Sequence, residues 1–223
     1  MTQKSFLVSL VAVTGFCILS YFFLDRPLAE WINQNVNTIW SNFFFVVTHL
    51  GRAENWFSLA VLFLLIGNGL KLQARSLQRS GGASDKLSSL EENGRSFFWA
   101  GLFLLATLIC AGIVVNVLKF VFGRYRPQLL FTDSVLYGFN PFSMQISLNS
   151  FPSGHAQVIF TAMTSLYLLY PRHVLTYGLV ALLVFLSRPL IGVHYLSDVV
   201  MGAYVGIFPT LWVYQLFKRK GFL

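Results

Sequence analysis

Six apolar runs dominate this sequence, and they restrict what the chain can fold into more than any other feature. They cover residues 5–24, 55–70, 97–118, 154–170, 174–187 and 195–217. A helix needs about 20 mostly apolar residues to cross the hydrocarbon core of a bilayer, where every backbone polar group must be paired internally. The sequence therefore predicts an all-α, polytopic membrane protein in which six transmembrane helices form a bundle, with 1–223 as a single domain.

Composition agrees with a membrane protein. Only 11% of the residues are charged and 56% are hydrophobic, whereas soluble domains carry about 25% charged residues. This excludes a disordered chain, an ordinary soluble enzyme and a basic nucleic-acid-binding domain. The net charge of +8 is expected to set membrane orientation, so no nucleic-acid partner is predicted. Cys17 and Cys110 both fall inside apolar runs, and no disulfide framework is implied.

Two of the segments between these runs differ in character. Residues 28–50 are amphipathic and rich in aromatic side chains, a pattern that predicts an interfacial helix between the first and second spans. Residues 71–95 carry many charges, contain a Ser-Gly-Gly sequence and show no apolar periodicity. That second pattern predicts a flexible loop.

The distribution of Lys and Arg predicts the orientation. Six spans place both termini on one face, and ten of the 16 Lys and Arg residues share that face: Lys4, Lys71, Arg75, Arg79, Lys86, Arg95, Arg172, Lys218, Arg219 and Lys220. Positive residues collect in cytoplasmic loops. We therefore expect a multi-pass protein with cytoplasmic termini and with the other six Lys and Arg residues on the opposite face.

That opposite face brings together residues from three distant segments, most of them ionisable. They are Lys119, Arg124 and Arg126 after the third run, Ser153, Gly154 and His155 at the start of the fourth, and Arg188, His194 and Asp198 around the start of the sixth. Ionisable groups at the membrane are energetically expensive, which makes a functional site the default interpretation.

The chemistry that fits these residues is phosphoryl transfer. Positioned cations and helix N-termini stabilise the charge on phosphoryl oxygens during displacement. Ser153 and Gly154 at a helix start would form an anion site. His194 and Asp198, four residues apart, would share a helical face, so the carboxylate can orient the imidazole. His194 would then be the nucleophile that forms a phosphohistidine, and His155 the general acid and base.

The sequence contains no Cys, His and carboxylate cluster with metal-ligand spacing. We therefore expect neither a metal nor another cofactor, with the cations supplying the charge stabilisation that Mg²⁺ gives elsewhere. Asp133, in the loop on the same face, is a candidate neighbour of Arg124.

The order and spacing of these residues resemble the three signature blocks of the type 2 phosphatidic acid phosphatase superfamily, here Lys119-x6-Arg126-Pro127, Pro152-Ser153-Gly154-His155 and Ser187-Arg188-x5-His194-x3-Asp198. The resemblance implies a metal-independent phosphatase with a helical core. It also implies that Lys119, Arg126, Arg188, Ser153 and Gly154 bind phosphate, and that His194, Asp198 and His155 are catalytic. Arg124 lies outside the minimal pattern and is interpreted as a support behind the directly acting residues.

The leading hypothesis is a lipid phosphatase of a bacterial inner membrane, multi-pass, with its active site facing the periplasm. Within the family, candidate substrates are undecaprenyl pyrophosphate, lipid A phosphates, phosphatidylglycerol phosphate and phosphatidic acid. Two alternatives stay open: a lipid phosphotransferase that uses the same intermediate, and a lipid-phosphate binding or transport protein without turnover. The sequence identifies no protein partner.

Overall fold

The structure is a computed structural model that describes residues 3–81, 83–132, 135–143, 145 and 148–223. Apart from one isolated bridge between Arg124 and Phe139, all regular structure in these residues is helical. Short 3-10 turns cover Thr48–Gly51 and Pro171–His173. The α-helices are α1 (Gln3–Phe23), α2 (Asp25–Asn35), α3 (Thr38–Val47), α4 (Ala53–Arg79), α5 (Ser84–Phe122), α6 (Pro127–Leu130), α7 (Gly154–Leu169), α8 (Val174–Leu190) and α9 (Leu196–Arg219).

The helices confirm a polytopic, all-α membrane protein. Five segments in the described part of the chain are long and apolar enough to cross a membrane: Lys4–Phe23, Thr38–Arg79, Ser84–Phe122, Pro171–Leu190 and Leu196–Arg219. The expected span that is absent from this set is the fourth, at residues 154–170. It corresponds to α7, which has 16 residues. At 1.5 Å per residue it is about 24 Å long, shorter than the hydrocarbon core of about 30 Å. The count of six spans therefore stays a prediction.

The flexible loop predicted for residues 71–95 is wrong. α4 continues to Arg79 and α5 begins at Ser84, so the chain turns between these residues. The intervening sequence is rich in Leu, Gln, Arg, Lys and Glu, which all favour helix. Tertiary packing also holds the two helices together, because a Cβ added to Gly67 would lie 2.5 Å from the backbone nitrogen of Phe98. The charges reflect exposed helical turns rather than a loop.

The amphipathic segment 28–50 forms two helices, α2 and α3, instead of the one helix expected. Val36 is extended between them, and Asn37 caps α3 by accepting the backbone N–H of Trp40 at 3.1 Å. The side-chain oxygen of Asn37 competes with continued helix, which explains the break. The placement of α2 and α3 at the membrane interface stays a prediction.

α7 lies at the centre of the bundle, where it packs against α9, α8 and α5. Its contact with α9 is close because α9 presents Gly202 and Gly206 to it. A Cβ added to Gly206 would lie 2.6 Å from the carbonyl oxygen of Gln157. Small residues allow such backbone approach between membrane helices. As a result, the first turns of α7 and α9 lie side by side.

Candidate active site

Asp198 is the centre of a buried hydrogen-bond network. It lies in the first turn of α9, and its Oδ2 accepts the backbone N–H of Tyr195 at 2.8 Å, so it caps the helix. The same oxygen accepts the Ser150 hydroxyl at 2.5 Å, while Oδ1 accepts an Arg124 N–H at 2.6 Å. The Asp198 carboxylate can therefore cap α9 and still act as the expected partner of His194.

His194 is buried beside this carboxylate. Its Nδ1 lies 3.5 Å from Asp198 Oδ2 and 3.5 Å from Ser150 Oγ, which assigns Nδ1 to the network and leaves Nε2 as the nitrogen for chemistry. Burial lowers the pKa of His194 to about 3, although Asp198 acts in the opposite direction. The resting imidazole is therefore neutral, the form whose lone pair a nucleophile requires.

Arg124 supports the site from behind, as the sequence suggested, but through a partner that the sequence did not predict. One terminal nitrogen contacts Asp198, and the other donates to Asp25 Oδ2 at 2.8 Å. Burial acts to lower the pKa of the Arg124 guanidinium, but the two carboxylates outweigh burial and raise it. Gly123, whose φ of +54° ends α5, turns the chain so that Arg124 enters the network. Asp133 lies outside the described residues.

The structure brings the expected phosphate-binding residues together. The Lys119 ammonium donates to the carbonyl oxygen of Asn149 at 2.6 Å. A Cβ added to Gly154 would meet the Lys119 side chain at 3.8 Å, so the first turn of α7 adjoins the end of α5. Arg126 and Arg188 are electrostatic neighbours of Lys119. Three cations from two motifs therefore surround the N-terminus of α7.

Three of the expected phosphate-binding residues carry buried donors that have no partner. Within the described residues, Ser153 Oγ, Arg126 Nε and Arg188 Nε make no hydrogen bond. An unpaired buried donor costs roughly 1–3 kcal/mol, and most native donors avoid it. Because these three come from three separate motifs, a shared anionic ligand is the simplest partner for them.

In the part of the chain that the structure describes, Arg124 Nε and Tyr195 Oη are also buried without a hydrogen-bond partner. The Arg124 guanidinium carbon stands 4.2 Å from the centre of the Tyr195 ring. Contact with the ring face offsets part of the missing hydrogen bonding of the guanidinium. These atoms therefore belong to the packing around Arg124 rather than to the anion site.

His155 follows Gly154 in the first turn of α7 and packs against the turn Thr48–Gly51. A Cβ added to Gly51 would lie 3.0 Å from the Cβ of His155. Its positively charged neighbours are Arg188, Arg52, Lys119 and Arg126. The second histidine therefore lies in the same cationic cluster as the expected phosphate-binding residues.

Sequence reasoning missed four residues that hold the site together. Asp25 and Ser197 contact Arg124, Ser150 contacts Asp198, and the Thr48 hydroxyl accepts an Arg188 N–H at 2.6 Å. Of these, Asp25 alone left a signal in the sequence, as one of eight acidic residues, directly after an apolar run. The hydroxyl residues are too common for the sequence to single them out.

Comparison with models of protein families shows which family this chain belongs to. A family model described as the PAP2 superfamily matches residues 100–222, more than half of the chain. The chain belongs to the PAP2 superfamily. The match begins inside α5 and contains all the residues of the three sequence motifs, which confirms the resemblance found from them. Helices α1 to α4, which include Asp25, and the turn that contains Thr48 lie outside the matched region.

Individual relatives agree with this assignment. The chain is 34% identical to the lipid A 1-phosphatase of Rhizobium johnstonii over 125 residues, 56% of this chain and 51% of the relative. It is 31% identical to the undecaprenyl-diphosphatase of Sulfolobus acidocaldarius over 107 residues, 48% and 50% of the two chains. The chain thus spans about half the length of the curated relatives it matches.

A solved PAP2 structure shares the fold. The crystal structure of Aquifex aeolicus LpxE matches with a TM-score of 0.59 at 22% identity, covering 86% of this chain and 95% of that one. At such low identity the agreement concerns the architecture alone. It shows that the bundle as a whole, including the helices before residue 100, has a counterpart among solved structures.

Proposed function

We propose that this protein is an integral membrane lipid phosphatase that hydrolyses a phosphate monoester or pyrophosphate on a membrane lipid. The observation that carries the proposal is the set of three unpaired buried donors, on Ser153, Arg126 and Arg188, in one cationic cluster with two histidines. Cations and a hydroxyl alone would suit an anion-binding protein. A neutral histidine oriented by a carboxylate adds a nucleophile, which a binding protein does not need.

The chemical steps follow from the positions of the two histidines. His155 takes up a proton when the bound phosphate anion offsets its cationic neighbours. His194 Nε2 attacks phosphorus, the bond between phosphorus and the lipid oxygen breaks, and His155 gives its proton to that leaving oxygen. His155 then removes a proton from water, which attacks the phosphohistidine and releases inorganic phosphate with His194 restored. Asp198 stabilises the positive charge that the imidazole acquires. Lys119, Arg126 and Arg188 stabilise the charge on the phosphoryl oxygens.

A lipid substrate is supported by the surroundings of His194. A cavity of about 210 Å³ lies between His194 and α2, and its lining includes Leu28 and Ile32 of α2 and Val36 directly after it. Because α2 belongs to the amphipathic segment, we propose that a lipid head group reaches His194 from the side, between α2 and the start of α9. The names of the two relatives favour lipid A phosphates and undecaprenyl pyrophosphate as the substrates to test first.

The proposed location is a bacterial inner membrane, with cytoplasmic termini and a periplasmic active site. The Lys and Arg distribution supports this orientation, since the predicted six-span topology assigns ten of the 16 cationic residues to the face opposite the candidate site. At least four of the six on the other face, Lys119, Arg124, Arg126 and Arg188, belong to the site itself. Among the Lys and Arg residues outside the site, the excess on the proposed cytoplasmic face is therefore larger than the total counts for the two faces indicate.

Phosphate release from a lipid panel tests the proposal. Wild type and His194→Ala are assayed in detergent with EDTA present, against lipid A, undecaprenyl pyrophosphate, phosphatidylglycerol phosphate and phosphatidic acid. Release from at least one lipid, abolished in the variant, is the expected result. Transfer of phosphate to a second lipid without release would instead identify a phosphotransferase. Tight binding of a lipid without release or transfer would identify a binding protein.

A further inference from the structure

Asp25 is a buried carboxylate that no motif accounts for. It is the first residue of α2 and lies outside the region that the family model matches. Four donors meet its two oxygens: the Ser20 hydroxyl at 2.8 Å, the backbone N–H of Ser197 at 3.0 Å, the Ser197 hydroxyl, and the Arg124 guanidinium at 2.8 Å. A carboxylate this deeply buried and this fully hydrogen-bonded is held in one orientation.

Asp25 and Asp198 share one guanidinium. Arg124 donates to both, so the three groups form a buried row of negative, positive and negative charge. Each contact is 2.8 Å or shorter, and the side chains are at most 1% exposed. Ser197 reinforces the row, because its hydroxyl contacts both Arg124 and Asp25. The second ion pair fixes where Arg124 stands relative to Asp198.

The charge balance of this row matters for His194. If Arg124 had Asp198 as its single partner, the two charges would cancel, and little negative potential would remain at the imidazole. Asp25 supplies a second negative charge, so the row keeps a net charge of about −1, which is felt strongly in a site of low dielectric. Asp198, the member next to His194, can then stabilise the positive charge that the ring acquires when it attacks phosphorus.

We propose that Asp25 is a positioning residue of the candidate active site. It holds Arg124 in place and offsets part of the Arg124 charge, so that Asp198 can stabilise a cationic His194. The inference rests on the proposed function. It also gives the N-terminal helices a part in catalysis, since Asp25 at the start of α2 places a negative charge next to a site built from α5 to α9. A purely structural Asp25 would affect the amount of folded protein and leave turnover by that folded protein unchanged.

The test is a double-mutant cycle on Asp25 and Arg124. Asp25→Asn removes the charge while keeping the shape, and Arg124→Met removes the group through which it acts. We expect each single variant to lower kcat at least roughly 10-fold, with KM changed less than about 3-fold, because the loss concerns the transition state. The double variant is expected to be no slower than the slower single variant. Glu30→Gln is the matched control, since Glu30 is an exposed carboxylate of α2 paired with Arg26.

Two outcomes would overturn the inference. One is wild-type kcat in folded Asp25→Asn, with Arg124→Met impaired. The other is a double variant whose loss equals the product of the two single losses, since independent effects multiply. If Asp25→Asn does not fold, Ser197→Ala takes its place, because it removes a hydroxyl shared by Asp25 and Arg124 while both charges remain. It is expected to lower kcat about 3-fold, and unchanged kcat would contradict the inference.

Orthovanadate binding separates this inference from the proposed function. Vanadate resembles phosphate and accepts a fifth ligand, so calorimetry of its binding reports on His194 without lipid turnover. If wild type binds vanadate but hydrolyses no lipid, the proposed function fails. Weaker vanadate binding by Asp25→Asn than by Glu30→Gln would then still support the inference, and equal binding would contradict it. Absence of both binding and turnover in wild type contradicts both proposals.

Discussion

The carbonyl oxygen of Asp198 accepts the backbone N–H of Ser153 at 2.9 Å. This single bond joins two of the three sequence motifs, because Ser153 precedes the first turn of α7 and Asp198 lies in the first turn of α9. It places the Ser153 hydroxyl and the free N–H groups of α7 beside the His194 network. The anion site and the nucleophile are therefore fixed relative to each other by the backbone.

Ser153→Ala is expected to separate activity from stability. The Ser153 hydroxyl is buried without a partner in the described residues, so its removal should leave the thermal unfolding midpoint unchanged or slightly raised. If the hydroxyl binds phosphate in the transition state, kcat/KM should fall about 10-fold. The matched control is Ser165→Ala, outside the three motifs, whose buried hydroxyl lies 3.1 Å from the Thr107 hydroxyl. If Ser153→Ala lowers the thermal unfolding midpoint and keeps full activity, phosphate binding by the Ser153 hydroxyl is contradicted.

Arg188→Lys tests whether the arginine acts through its shape as well as its charge. The variant keeps a positive charge but loses the unpaired Nε donor and the planar guanidinium. We expect kcat/KM for phosphate release to fall roughly 10-fold or more. Arg172→Lys, in the turn Pro171–His173 outside the site, is the control and should behave as wild type. Full activity of Arg188→Lys would show that charge alone suffices.

Acid should destabilise the protein through His194. Burial lowers its pKa to about 3, while the same histidine in the unfolded chain titrates near about 6.5. Between these values the unfolded state binds the extra proton, so the free energy of unfolding decreases as pH falls through this window. Above about pH 6.5 both states are neutral and the contribution is constant.

The measurement is the thermal unfolding midpoint in detergent at several values between about pH 7.5 and pH 4.5. His194→Asn has no group to titrate at this position, so it is expected to lose less stability than wild type over that range. Other titrating groups are common to both proteins and cancel in the difference. Parallel curves for the two proteins would contradict a depressed pKa at His194.

Cysteine labelling tests the orientation. In a background with Cys17→Ala and Cys110→Ala, a single cysteine is placed at exposed Thr132, after α6, or at exposed Gln78, near the end of α4. A membrane-impermeant maleimide applied to spheroplasts should label Thr132→Cys at once and Gln78→Cys only after lysis. The reverse pattern would place the candidate site in the cytoplasm.

The expected catalytic residues could be picked out from the sequence because the proposed chemistry sets their spacing. His194 and Asp198 are four residues apart, and the Ser153-Gly154-His155 sequence opens a helix, so local geometry alone indicates both groups. The apolar runs likewise fixed the positions of most helices, since the bilayer demands about 20 apolar residues for each crossing.

The supporting residues could not be predicted in the same way. Asp25 and Arg124 are 99 residues apart, and nothing local to either indicates that they meet. The same limit explains the incorrect prediction of a loop at residues 71–95. There, close packing at Gly67 stabilises two helices that extend beyond their apolar parts. Long-range packing decided both features, and periodicity within one segment does not report it.

The most direct test of the mechanism is to trap the phosphorylated enzyme. Wild type is mixed with a lipid carrying ³²P in the phosphate to be released, and the reaction is stopped within a single turnover. The account predicts a label on the protein that is stable to alkali and labile to acid, as a phosphohistidine is. The label should be absent from His194→Ala. In His155→Ala it should form more slowly and then persist, because this variant can neither protonate the leaving oxygen nor activate water. Phosphate release by wild type without labelled protein on that timescale would show direct attack by water and contradict the role given to His194.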